Sequence, residues 1–448
     1  MHLGNIADLI DGRLEPPKVG NFSTTGIAFD TRKLSENDLF FALSGEKDGH
    51  EFVGDARGKG AVAAVVSRKI DCGLPQIIVR DTLEALGKLA AEYRKTLDQK
   101  VICVTGSLGK TTTREAISEV LSAKYEVTQS QKNFNNFIGL PYSILSIDEI
   151  HDVAVLEIGI NLIGEMARLA EIANPDFAVV LNIAPVHLEG LGNIENIAGE
   201  KLRIFDYLSP DGKAFLNADD LFIKKQNVIP KRRVVTFGFS DDADFQIQRA
   251  ETDGGGCIRV KINGRKIGLA ICGLGAAYTA ACAWAVGAEF GISEDDIIAR
   301  LEGFVGFQDR LKLRRTGEIS LLVDVYNSSP IAVQSALETL ISVSGKRKIA
   351  VLGDMLELGD DSREYHIDMG RLAVERGVER LFFFGELSKD AIKGAFEAGM
   401  AKELATWTDD FDELKRCVLE YILPGDVVLV KGSRAMRLER LVEGILGL

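Results

Sequence analysis

The stretch VTGSLGKTTTRE, from Val104 to Glu115, sets Gly109, Lys110 and Thr111 side by side, the closing triplet of a phosphate-binding loop. The general pattern asks for a glycine five positions before Gly109, but that place holds Val104, and the first glycine comes late, at Gly106. Gly106 and Gly109 let the backbone through Ser107 and Leu108 curl closely around an anion. Lys110 then reaches terminal phosphates, the Thr111 hydroxyl is a ligand for Mg²⁺, and Thr112 follows in the same turn.

Such a loop works only on a particular support. The apolar run KVICV before it reads as a strand, and TTTREAISEVLSAKY after it puts Ile117, Val120, Leu121 and Tyr125 on one helical face. Strand, glycine turn and helix start aim backbone N–H groups and the positive end of a helix dipole at one spot. A Gly-Ser turn before an ordinary helix with a solvated lysine is the plain alternative, and the local context favours the phosphate. The loop implies a nucleoside triphosphate without saying what it is used for.

Other reactive types follow strand-like runs. Glu157 ends DVAVLEIG, where a carboxylate can hold Mg²⁺ or simply face solvent. His187 follows DFAVVLNIA, and a lone histidine is more often structural than a ligand. Thr111, Glu157 and His187 together make a better metal set than any of them alone. Lys201, in the helical NIENIAGEKLRIFDYL, reads as a surface lysine on its own. Asn133, Asn135 and Asn136 form a dense amide cluster in NFNNFIGLP, and Asp324, Tyr326 and Asn327 lie where a strand gives way to a turn in LLVDVYNSSP.

The 448 residues are 46% hydrophobic and 27% charged, enough for about three globular domains. Residues 1–98 are short and mixed, with a helix in TLEALGKLAAEYRKTL. Residues 99–310 alternate strands and helices, which implies a mainly parallel sheet covered on both faces. Within them, DFQIQRAETDGGGCIRVKINGRKIGLAI reads as antiparallel β structure turning at Asn263-Gly264. Residues 311–448 alternate again, with KIAVLG, RLFFFG and DVVLVKG as strands of a smaller doubly wound, Rossmann-like domain.

The six cysteines, at 72, 103, 257, 272, 282 and 417, form no C-x-x-C pair and read as reduced core residues. A net charge of −13 argues against nucleic acid as the main partner. No apolar run approaches the roughly 20 residues of a membrane helix, and MHLGNIADLIDGRLEPP lacks the basic start and apolar middle of a signal peptide. A cytoplasmic protein is expected.

The late-glycine loop TGSLGKTTT resembles that of the Mur ligases, ATP-dependent amide-forming enzymes of peptidoglycan synthesis. The resemblance runs along nearly the whole chain, through FDTRKLSENDLFFALSGEKDGHEF, NFNNFIGLP, LEIGIN, NIAPVHLEGLG, VDVYNSSP, LGDMLELGDDSREYH and VKGSRAMRLE. It implies three domains that bind a UDP-sugar, ATP and an amino component in turn. The implied small-molecule substrates are UDP-N-acetylmuramoyl-tripeptide and D-alanyl-D-alanine, acted on by a monomer.

By the same resemblance, Lys110 contacts the transferred phosphate, while Thr111 and Glu157 serve one Mg²⁺. His187 serves a second metal site, with Lys201 as a carbamylated lysine beside it. Gly106, Ser107, Leu108, Gly109, Thr112, Asn135, Asn136, Arg310 and Asp324 fall among the nucleotide contacts. Asp30, Thr31, Arg32, Asp48, Gly49 and His50 match the uridine-diphosphate region, and Asn327 the amino-component side.

Three positions depart from the family pattern. Leu108 stands where a small or polar residue is usual, VYNSSP replaces Tyr-Asn-Ala-Asn-Pro, and Thr279 stands where an adenine-binding asparagine is expected. The last predicts one missing adenine contact and a raised Michaelis constant for ATP. A ligase for another amino component or another acceptor, or a non-catalytic binding protein of the same fold, are the competing readings.

Overall fold

The computed structural model describes residues 1–225, 233–306 and 310–447, which build three domains, each around its own sheet. The first sheet runs, from edge to edge, Arg13–Glu15, Gln76–Ile78, Ala63–Val66, Asp38–Phe41 and Gly26–Ala28. Only its Arg13–Glu15 edge is antiparallel.

The middle sheet has nine strands in the order Val127–Gln129, Val153–Glu157, Lys100–Thr105, Phe177–Val180, Lys213–Asn217, Val234–Gly238, Phe245–Thr252, Cys257–Ile262, Arg265–Cys272. The first seven pair in parallel. Their continuous apolar runs suit strands covered on both faces, as Val101 to Thr105 are. Alternation along the strand sends Ile102 and Val104 to one core with Ile117, Val120 and Leu121, and Val101 and Cys103 to the other with Leu140, Ile144 and Leu169. The last three strands form the expected antiparallel meander, and Asn263 and Gly264 both take positive φ at its hairpin.

The phosphate-loop helix ends at Leu121, short of the expected Tyr125. Lys124 and Tyr125 both donate their backbone N–H to Leu121 O, closing the helix with a turn. The Tyr125 ring still packs on the core, and its hydroxyl donates to Phe290 O at 2.9 Å. Beside this helix lies the alanine-rich Gly275–Glu289, whose small side chains permit close approach. A Cβ at Gly287 would come within 2.5 Å of Val120 Cγ1.

The third sheet runs Lys312–Thr316, Ile319–Asp324, Val427–Lys431, Lys348–Gly353, Arg380–Phe384, Ala405–Thr408, parallel except for its first strand. The cysteines differ from their reading as core residues. Cys103 and Cys282 are buried, whereas Cys72, Cys257, Cys272 and Cys417 are partly exposed. No described helix is long and apolar enough to cross a membrane.

Candidate active site

Strand order places the strand Lys100–Thr105 between Val153–Glu157 and Phe177–Val180, so the segments after all three meet at one sheet edge. That is where open α/β sheets bind ligands. A cavity of about 1150 Å³ opens there, lined by the phosphate loop, by Glu157 and His187, and by Arg310, Asp324 and Asn327 of the third domain's approach.

The loop is held by the segment that follows the neighbouring strand Phe177–Val180. Leu108 N–H donates to Asn182 Oδ1 at 2.8 Å, and Asn182 Nδ2 returns a bond to Leu108 O. Ser107 exchanges two bonds with the Ala184 backbone. Gly106, at φ 152, leaves no room for a side chain, because a Cβ would lie 2.9 Å from Leu181 Cβ. Lys110 folds back over the loop, donating to Gly106 O at 2.8 Å. Desolvation lowers its pKa below the ordinary lysine value, helped by Arg310 and opposed by Glu157.

Glu157 is 2% exposed, which removes the solvent-facing alternative. Its Oε2 accepts from Thr111 Oγ1 at 2.8 Å and its Oε1 from Asn135 Nδ2 at 2.8 Å. Arg114, fully buried, reaches the same Oε2 at 3.4 Å and donates to Lys132 O at 2.8 Å. A buried carboxylate is costly unless paired and hydrogen-bonded, and this one is both. Two oxygens of the kind Mg²⁺ prefers, from Thr111 and Glu157, therefore stand together at the mouth of the loop. Among the described residues no cluster of three His, Cys, Asp or Glu side chains forms a closed metal cage.

His187 takes a left-handed backbone at φ 53, and its Nδ1 meets Glu357 Oε2 of the third domain at 2.5 Å. Lys201 is 1% exposed, not the surface lysine its helix suggests, and its pKa is driven well down by burial and by the nearby Lys110. It is a buried amine whose charged form is penalised by desolvation. Asn136 caps the next helix through Ile138 and Gly139 N–H groups, and Thr112 lines the cavity.

On the far wall the Arg310 guanidinium stacks 4.2 Å from the Tyr326 ring centre. Asp324 accepts from Lys431 Nζ at 2.6 Å, and the same ammonium donates to Asn327 O at 2.9 Å. Thr279 lines the cavity too, but its hydroxyl is engaged with Thr113 on the phosphate-loop helix at 3.2 Å. Next to Thr279 on the helix Gly275–Glu289, Tyr278 donates to Asp219 Oδ2 at 2.9 Å.

The residues expected to meet uridine diphosphate lie in the first domain and are bonded within it. Asp30 accepts from the Arg32 guanidinium, which holds its carboxyl down at about 2. Thr31 O accepts from Lys59 Nζ at 2.7 Å. His50 is buried between Asp48 Oδ1, at 2.6 Å from its Nδ1, and Ser67 N–H, which donates to its Nε2 at 2.9 Å. Gly49 packs its backbone against Leu43, where a Cβ would lie 2.4 Å from the carbonyl oxygen.

Arg114, Asn182, Glu357 and Lys431 escape the reading of the sequence. Arg114, within the quoted loop-and-helix stretch, carried a usable signal: a basic residue one turn after Lys110, on a helix aimed at an acidic strand end.

Known proteins match this arrangement from end to end. Residues 104–287 match the Mur ligase middle domain, 309–434 the Mur ligase glutamate ligase domain, and 23–94 the Mur ligase family catalytic domain. The chain is 36% identical to the UDP-N-acetylmuramoyl-tripeptide–D-alanyl-D-alanine ligase of Bacillus subtilis (strain 168), over 99% of this chain and 97% of that one. A crystal structure of MurF from Acinetobacter baumannii superposes with a TM-score of 0.91 at 28% identity, covering 100% of this chain and 99% of that one. MurF ligase from Thermotoga maritima in complex with ADP superposes at 0.83 with 29% identity, covering 95% and 97%.

Proposed function

The chain belongs to the Mur ligase family, and on that premise we propose that it joins D-alanyl-D-alanine to UDP-N-acetylmuramoyl-tripeptide. The reaction consumes ATP, forms ADP and serves peptidoglycan precursor synthesis. The observation that carries this reading is the full-length likeness to ligases of that name, joined to a phosphate loop that opens on a cavity between domains.

A carboxylate acylates poorly at neutral pH, so it is first activated. One carboxylate oxygen of the tripeptide attacks the γ-phosphorus, the bond to ADP breaks, and an acyl phosphate forms. The amine of the dipeptide then attacks the acyl carbon, the tetrahedral intermediate expels phosphate, and the nitrogen loses a proton. Lys110 offsets charge on the transferring phosphate. The loop N–H groups hold the phosphates, and Arg114 with Asn135 holds the Glu157 carboxylate in place, aimed at the site. Thr111 and Glu157 would hold Mg²⁺, which when bound neutralises phosphate charge.

Lys201 takes up carbon dioxide: its Nζ bonds to the carbon and releases a proton, leaving a carbamate that, with His187, would hold a second metal ion, which when bound would offset further phosphate charge. Burial of this amine supports that role. Gly106, Ser107, Leu108, Gly109, Thr112, Asn136, Thr279, Arg310 and Asp324 complete the nucleotide side. Asp30, Thr31, Arg32, Asp48, Gly49 and His50 in residues 1–98 meet the UDP-sugar, residues 99–310 bind ATP, and Asn327 in residues 311–448 meets the amino component. The chain works as a cytoplasmic monomer.

The test is product formation by the purified chain. ADP and the amide should appear together only when ATP, the UDP-tripeptide and D-alanyl-D-alanine are all present. Amide formation with a different amine and none with D-alanyl-D-alanine would overturn the substrate assignment.

A further inference from the structure

Cys257 and Cys272 are register partners on neighbouring antiparallel strands, and both line the large cavity. Facing residues in such a pair have Cα atoms about 4.5–5.5 Å apart, inside the roughly 4.4–6.8 Å that a disulfide spans. The Cys272 sulfur lies on the side of its partner strand, since a Cβ at Gly256 would come within 3.5 Å of it. A register shift follows at once, between Cys257 and Ile258, so the pair closes the end of the ladder, where the backbone can adjust.

This corner is also where the middle domain touches the third. Gly254 O accepts from Ser344 N–H at 2.8 Å. Cβ atoms at Gly256 would lie 3.1 Å from Val343 Cγ2, and at Gly273 2.7 Å from Leu311 Cδ2. Cys257 and Cys272 therefore adjoin these contacts, next to Gly256 and Gly273 respectively.

We propose that Cys257 and Cys272 are a redox-sensitive dithiol that closes to an intrachain disulfide under peroxide and, once closed, slows turnover in the adjoining cavity. Cys257 is the attacking thiol. Burial and the nearby Asp253 raise the Cys257 thiol, with Arg315 opposing, but it is less desolvated than Cys272, whose thiol burial pushes up to about 11. Its thiolate cleaves the O–O bond of hydrogen peroxide, becoming a sulfenic acid and releasing hydroxide. The Cys272 sulfur then displaces the hydroxyl from that sulfur as water, and the S–S bond forms. In sum, two thiols and one peroxide give one disulfide and two waters. Both thiols lie above the ordinary cysteine value, so the closure is slow compared with that of a dedicated peroxide sensor. The bond ties the turn carrying Gly254 and Gly256 to the segment carrying Gly273, and so restrains the third domain where it meets the cavity rim.

Purified full-length protein, fully reduced, is treated with hydrogen peroxide and then alkylated. Peptide mapping by mass spectrometry and the rate of ADP release are followed together, for wild type, Cys257→Ser and Cys272→Ser. We expect a linked Cys257–Cys272 peptide, two hydrogens lighter than its parts. The wild-type rate should fall at least fivefold and recover with dithiothreitol, while both variants resist the same treatment. The absence of the linked peptide, a linked peptide with an unchanged rate, or equal inhibition of the serine variants would each overturn the proposal. The mapping reads the bond without reference to which reaction the cavity performs.

Discussion

Helix Thr82–Arg94 gives Ala85, Leu86 and Leu89 to the core of the first domain and Ala90 to a core of the middle one. Arg94 at its end, 6% exposed, donates to Ala173 O and Asn174 O and pairs with Asp176 at 2.7 Å. Nearby, Phe29 meets Tyr142 edge-on at 5.4 Å and Phe134 at 6.0 Å. The other joint is built differently. The third domain meets the middle one through Ser344 N–H on Gly254 O, through Glu357 on His187, and through glycine backbones at 256 and 273, around a large cavity. Shared apolar burial fuses the first pair of domains, at about 25 cal/mol per Å² removed from water. Polar contacts at the rim hold the second pair, beside Cys272 and glycine backbones that pack on Val343, Leu311 and Leu313. The first domain is therefore joined to the phosphate-loop domain through a shared core, whereas the third meets it around the cavity.

Two lysines belong to the middle domain alone, so replacing them should stop chemistry and leave both joints intact. Lys110→Ala should lower kcat by about 10²–10³-fold, the usual loss for one positioned charge on a transition-state anion, with an unchanged unfolding midpoint. Near-normal turnover in the folded variant would remove the loop from catalysis. Lys201→Ala should also lose activity and regain part of it with added short carboxylic acids, which replace the carbamate oxygens. An alanine variant that keeps full activity would exclude the carbamate.

Arg94→Ala attacks the fused joint. It strips a buried charge partner from Asp176, which keeps Lys100 at 3.2 Å and the Val101 N–H at 3.0 Å, and should destabilise the protein by about 3 kcal/mol. Denaturant unfolding should show the first and middle domains weakening together; loss confined to one of them would contradict the shared core.

Glu357→Gln attacks the second joint and should cost under about 1 kcal/mol, because the carboxylate is 56% exposed and screened by solvent. The hydrogen bond from His187 lowers the Glu357 pKa below its ordinary 4.5. A depressed carboxylate contributes stability above that value and loses it as pH falls through the folded pKa. The wild-type advantage over Glu357→Gln should thus be present at pH 7 and gone once Glu357 is protonated, as thermal unfolding across pH would record.

The same contrast separates what the sequence discloses from what it hides. Lys110, Thr111 and Glu157 are legible because a short glycine turn and a strand end fix them locally. Alternating apolar strands likewise announce the parallel sheets, and Asn263-Gly264 announces its hairpin. Arg114 with Glu157, Lys431 with Asp324 and Glu357 with His187 are separated by 43, 107 and 170 residues, and only the assembled sheets bring them together. Lys201 shows both sides. Its helix is readable, but its burial depends on which face the neighbouring elements cover. The cysteine pair escapes notice for the same reason, since strand register, not spacing along the chain, makes partners of Cys257 and Cys272.

Transfer of phosphate to a substrate carboxylate in the cavity over Lys110 is the central step of the proposed reaction. UDP-tripeptide labelled with ¹⁸O in the reacting carboxylate, incubated with the chain, ATP and D-alanyl-D-alanine, tests it directly. An acyl phosphate keeps one carboxylate oxygen when its C–O bond breaks, so the released phosphate should carry one ¹⁸O for each amide formed. Amide formation accompanied by unlabelled phosphate would contradict the account.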